Sequence, residues 1–174
     1  MNWNDLIGCE MEYAYSVTEK LMRRVSDTDL EWKPATGENW MTMGRLLYHI
    51  TEACGFCFRG FVTGDWGMPE GMDMAEMNPE QMMPPAEAMP SVTSVSEALE
   101  LLAKDREVAR QMLAAVTEDE LATREAPAPW DPSTVYLGHR LLQMVSHLNS
   151  HKSQLFYYLK LQGQPVNTND LWGA

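Results

Sequence analysis

The stretch STVYLGHRLLQMVSHLNSHKSQLFYYLKLQG (Ser133–Gly163) reads as one long helix ending near Gln162. Gly163 stands just past the last turn and Pro165 two residues further on, an order that stops a helix firmly. Working outward, residues 94–116 open on Ser94-Val95-Ser96-Glu97, where Ser94 and Glu97 are expected to satisfy each other's backbone donors. Val95, Leu99, Leu102, Ala109, Met112, Leu113 and Val116 then keep helical step. A further helix is predicted over 42–62, with Met43, Leu46, Leu47, Ile50, Cys54, Cys57, Phe58 and Phe61 as its stripe. Another covers 4–25, capped by Asn2 or Asn4, with Leu6, Ile7, Met11, Ala14, Val17, Leu21, Met22 and Val25 on one face.

Between these stretches lie breakers. Pro34 and Gly37 punctuate a loop over 34–41. Residues 63–93 carry Gly64, Gly67, Pro69, Gly71, Pro79, Pro84, Pro85 and Pro90, a long crossover with room for one short helical turn. Pro127, Pro129 and Pro132 mark a second irregular connection. No stretch alternates with period two long enough to propose a sheet. The expected architecture is all-α: a single-domain four-helix bundle over residues 1–174, with a long crossover between its second and third helices.

Thirteen basic against 25 acidic residues give a net charge of −12. That sign repels phosphate backbones and anionic lipid, so neither nucleic acid nor a membrane is an expected partner. Composition is otherwise that of a globule, 45% hydrophobic and 22% charged. The most apolar run, Leu46 to Val62, is interrupted by His49, Glu52 and Arg59, and the acidic N-terminus does not read as a signal peptide. Three cysteines, an odd count, suit a reducing, cytoplasmic setting. Many of the 14 methionines fall between Met68 and Met89, as soft filling of an irregular segment.

The residues that carry chemistry are the four histidines. His147 and His151 are four apart on the last helix, so both rings point to nearly one face, the spacing by which one helix offers two imidazoles to one ion. His49 sits at the edge of the stripe of the second helix and can face inward. Three neutral imidazoles would leave one tetrahedral position open, as in catalytic zinc sites. The bland alternative is a solvent-facing pair beside a hydrogen-bonded core histidine. Leu148 and Asn149 stand where a zincin protease carries the glutamate that is its general base, which excludes that chemistry.

The segment Leu46-Leu47-Tyr48-His49-Ile50, preceded by Trp40, and the segment His147-Leu148-Asn149-Ser150-His151-Lys152-Ser153-Gln154-Leu155, followed by Tyr158-Leu159 and Gly163, resemble the DinB-like superfamily. The resemblance spans nearly the whole chain in helix order and spacing. It implies a four-helix bundle with a divalent metal on His49, His147 and His151, zinc first, with nickel or iron as alternatives. It also implies a homodimer and, in several branches, thiol-dependent transfer to a small-molecule substrate. The chain departs from the family in carrying Lys152-Ser153 where Arg-Gly is frequent, and in lacking a glutamate inside the pair.

Other residues are secondary. Glu52, three after His49, reads as an acceptor for a ligating imidazole, as a base or as a solvated carboxylate. His139 is about 12 Å along the axis from His147, too far to share an ion. Cys54-x-x-Cys57 is expected in mid-helix as small core residues, since redox pairs of that spacing need a helix N-terminus. Trp66, Trp130 and Trp172 wall a pocket or cover bundle ends, and Glu97, Glu100 and Glu107 read as a solvated face. Two readings follow. One is a metal-dependent enzyme activating a low-molecular-weight thiol or a water, with loop 63–93 as substrate rim; no catalytic acid or base is assigned. The other is a non-catalytic dimeric bundle that binds a partner, with a structural or vestigial metal site.

Overall fold

The computed structural model describes residues 1–68, 84–131 and 133–174, and these fold as helices without a strand. Helix α1, Trp3–Met22, starts where the Asn2 side chain accepts from the Asp5 N–H. Ile7, Met11, Ala14, Val17, Leu21 and Met22 are buried along its predicted stripe. A short 3-10 turn at Asp27–Asp29 and a loop lead to α2, Met43–Ile50, capped by Thr42, and then α3, Gly55–Thr63. Helix α4 is Val95–Ala114, α5 Glu118–Thr123, α6 Leu137–Leu161 and α7 Thr168–Trp172. No helix among the described residues is long and apolar enough to cross a membrane.

Helix α1 packs on α6 and α4, while α2 and α3 together fill the remaining side between α6 and α4. Four rods therefore surround one core, and the second rod is made of two pieces. Tyr15, Leu46, Leu47, Ile50, Phe58, Leu141, Leu148 and Leu159 are among its buried members, each full burial contributing about 2 kcal/mol. The long crossover joins α3 to α4. Its described part includes a 3-10 turn at Ala86–Ala88, the single helical turn expected there. Most of its methionines, and residues 69–83 of the predicted substrate rim, lie outside the described residues.

One local expectation is corrected in part. Ser94 does accept from the Glu97 N–H at 3.1 Å, but the Glu97 carboxylate turns to the Thr93 N–H and hydroxyl, both at 2.7 Å, so the reciprocal half falls one residue early. The chain does close reciprocal boxes elsewhere, at Thr117/Glu120 and Asn167/Asp170, which start the short helices α5 and α7 that periodicity missed.

The larger correction concerns the helix predicted over 42–62, which is interrupted at Thr51–Cys54. Residues 51–53 bond three back rather than four, from Thr51 N–H to Tyr48, Glu52 to His49 and Ala53 to Ile50. The cause lies on α4. Asp105, buried there, accepts from the Gly55 N–H at 2.9 Å, the Phe56 N–H at 2.7 Å and the Tyr15 hydroxyl at 2.6 Å. The carboxylate thus satisfies the first orphan donors of α3, and a continuous helix would need those N–H groups for itself. Burial pushes the Asp105 carboxyl up to about 6 against the opposing pull of these donors.

Only glycine lets α3 approach that closely. A Cβ on Gly55 would lie 2.0 Å from the Asp105 carbonyl oxygen and 2.7 Å from its Oδ1. Gly55→Ala is therefore expected to cost about 3 kcal/mol, read as a lower urea midpoint with an unchanged m-value.

Candidate metal centre

Helix α2 carries His49 and α6 carries His147 and His151. The core positions Leu46, Leu47 and Ile50 press α2 against α6, and Leu148 and Leu155 do the same from the other side. The three rings meet half-buried between the rods. His151 Nε2 lies 3.0 Å from His49 Nε2 and 3.0 Å from His147 Nε2. One ligand atom from each residue falls within 4.8 Å of the others, a group that can hold a metal ion.

For the two α6 histidines the ring proton is fixed by what Nδ1 faces. His147 Nδ1 is 3.1 Å from the Ala53 carbonyl oxygen, which can only accept, so the proton sits on Nδ1 and Nε2 is a bare lone pair. For His151 the direction comes from farther away. The Met41 carbonyl must accept from the Tyr158 hydroxyl, at 3.1 Å. That hydroxyl oxygen then accepts from the Gln154 amide nitrogen at 3.3 Å, which turns the amide oxygen to His151 Nδ1 at 2.9 Å. His151 therefore donates from Nδ1 as well, leaving its Nε2 bare. Two lone pairs at 3.0 Å with no proton between them repel, and a shared electrophile removes the repulsion. The donor set fits a divalent cation on this ground.

Neither partner was the one expected. Glu52 is exposed and accepts from the Tyr48 hydroxyl at 3.2 Å, apart from the ligand rings. Of the readings left open for Glu52 its exposure fits the solvated carboxylate; Gln154 is the acceptor instead, and its three-residue step from His151 was the available signal. The Ala53 carbonyl carried no sequence signal, because it is free only through the interruption. His139 is exposed and outside the cluster. Cys54 is the N-cap of α3 rather than a mid-helix residue, yet burial raises its thiol well above the ordinary range, with Asp105 adding to the rise. Burial likewise pushes Cys57 up to about 12, so neither is a reactive thiolate. Lys152 turns away to donate to the Leu171 carbonyl at 3.2 Å, tying down α7. Trp66 and Trp130 pack on each other and on Phe61 at the far end of α3, with centroids 5.5, 5.0 and 6.0 Å apart. A groove of about 190 Å³ beside the interruption is lined by Tyr48, Glu52, Phe56, Arg59 and Lys104 but by none of the three histidines.

A family model described as the DinB superfamily matches residues 10–155, a span that holds all three histidines. The chain belongs to the DinB superfamily. The crystal structure of a DinB-like protein from Bacillus cereus superposes with a TM-score of 0.66 at 17% identity, covering 92% of this chain and 93% of that one, a likeness of fold. No curated protein matches the chain.

In this DinB-superfamily chain the cluster resists protonation. Burial lowers His49 to about 4, helped by His151 and His147. Burial also lowers His147 and His151, with the Ala53 carbonyl and Gln154 pulling the other way. All three rings are neutral near pH 7, the form that binds metal. Between the ordinary histidine pKa of 6.5 and about 4, the unfolded chain takes up protons that the folded His49 refuses. Stability of the chelated protein should therefore fall as pH drops through that window. In urea titrations across it, His49→Gln is expected to give a shallower slope than the wild type. Gln154→Leu is expected to weaken Zn²⁺ binding about 10–100-fold, read by competition with a chromophoric chelator.

Proposed function

We propose that this chain is a divalent-metal enzyme, its ion held by the Nε2 atoms of His49, His147 and His151, which activates a thiol or a water against a small substrate. Zinc is the expected ion, with nickel or iron as alternatives. The observation that carries the reading is that His147 Nε2 and His151 Nε2 face each other at 3.0 Å while each Nδ1 is on an oxygen acceptor. A divalent ion bound there supplies Lewis acidity, lowering the pKa of a low-molecular-weight thiol or a water in its remaining position. The protein's own part is to keep three imidazoles neutral and pointed at one spot. Ala53 and Gln154 hold the protons on the outer ring nitrogens, and the buried leucines of α2 and α6 fix the ring separation. Three protein ligands of one charge type leave a position for the reacting group, unlike a closed four-ligand structural site. Thiol transfer rests on the family resemblance, and hydrolysis on the donor set alone. The homodimer expected from the same resemblance belongs to this reading.

Elemental analysis of purified protein is expected to find about one divalent ion per chain, with His147→Ala and His151→Ala losing it. At an ion concentration of 100 Kd the wild type should gain about 2.7 kcal/mol of stability over the chelated form. A panel of thiols with an electrophile, run beside plain ester and amide hydrolysis, separates the two activities. Metal retained without turnover in either panel would instead favour the non-catalytic reading. A wild type that takes up no ion on reconstitution would overturn metal binding itself.

A further inference from the structure

We propose that Asp105 is a positioning residue for His147, acting across the bundle through the interruption between α2 and α3. The inference rests on the metal reading above and extends it to a residue of α4 that touches none of the ligands.

Asp105 is buried, and its partners among the described residues are N–H and O–H donors with no cation paired to it. A buried carboxylate without a cation is expensive. What it secures here is a kink two residues from the carbonyl that orients His147. In a continuous helix the Ala53 carbonyl would accept from the Cys57 N–H, four residues on. With α3 restarted at Gly55 under the Asp105 carboxylate, the Cys57 N–H makes no bond to Ala53 among the described residues, and the Ala53 carbonyl is left to accept from His147 Nδ1. Tyr15 steadies the arrangement from α1. Its hydroxyl donates to Asp105 at 2.6 Å and accepts from the Gly55 N–H at 3.1 Å. Replace the Asp105 carboxylate by an amide, and one of the two N–H groups loses its acceptor to an NH2 donor, the chain can close up toward regular helix, and His147 loses the partner that keeps its proton on Nδ1. His151 is keyed separately through Gln154 and Tyr158, so its ring should not respond.

The test uses full-length protein, chelated and with ¹⁵N-labelled histidine. Long-range ¹H–¹⁵N correlation of the rings reports each tautomer, and Zn²⁺ competition reports affinity. Wild-type His147 is expected as a single Nδ1–H tautomer. In Asp105→Asn its ring nitrogens should shift toward mixed tautomers and Zn²⁺ affinity should drop about 10–100-fold, while His151 keeps the wild-type pattern. Leu113→Ala, a core truncation on the same helix, should lower stability without moving either readout. Should Asp105→Asn fail to fold, Tyr15→Phe is expected to shift the His147 signals in the same direction by less. A folded Asp105→Asn with wild-type His147 signals and wild-type Zn²⁺ affinity would overturn the proposal, as would an unfolded Asp105→Asn with an unresponsive Tyr15→Phe. A wild type that binds no Zn²⁺ overturns the metal reading alone, because the tautomer shift decides the part played by Asp105 without any ion.

Discussion

Two imidazole nitrogens, one from each of two rods of the bundle, sit at hydrogen-bonding distance from His151 Nε2, and the three rings have too few protons for all their contacts. Each ring has spent its one proton, or is free to spend it, and two have spent it facing outward on Ala53 and Gln154. The inner nitrogens therefore present concentrated negative potential in a half-buried space. Adding protons is disfavoured by the same burial that lowers the three pKa values. A fold that holds such a cluster stores electrostatic repulsion, which a cation relieves.

The precision of that cluster comes from two unlike devices. One is local to α6: a residue three positions after His151 and another four further on pass a hydrogen-bond direction from the Met41 carbonyl to the ring. The other is a defect in the second rod, where a buried carboxylate from α4 restarts the helix and frees a backbone carbonyl for His147. Imidazole ligands commonly donate their free N–H to an oxygen that fixes the ring. In this chain the two oxygens differ in kind, amide side chain and main chain, and respond to different parts of the fold.

Much of this was legible in the sequence. The stripes read over 4–25 and 42–62 place nearly every residue where the core requires it, and the stop at Gly163 is real, its φ of 80° lying in the region glycine tolerates. The spacing of His147 and His151, with His49 at a stripe edge, offered the three as candidates, and it was the resemblance to the DinB-like superfamily that named them as ligands. The interruption at 51–54 was not legible. Ile50, Cys54, Cys57, Phe58 and Phe61 stay in helical step through it and are all buried, so periodicity has no gap to register. Its cause is Asp105, some fifty residues downstream, and long-range hydrogen bonds leave no periodic trace. Thr117-x-x-Glu120, by contrast, was a readable capping signal beside a stretch too short to show a stripe.

The most direct check is an anomalous difference map, from crystals of the purified protein, collected at the absorption edge of the bound metal. The account predicts one peak per chain, enclosed by the Nε2 atoms of His49, His147 and His151, with each Nδ1 of the α6 pair still on its oxygen partner. A map without a peak there after metal soaking, or a peak held by carboxylates elsewhere while the three rings turn apart, would contradict it.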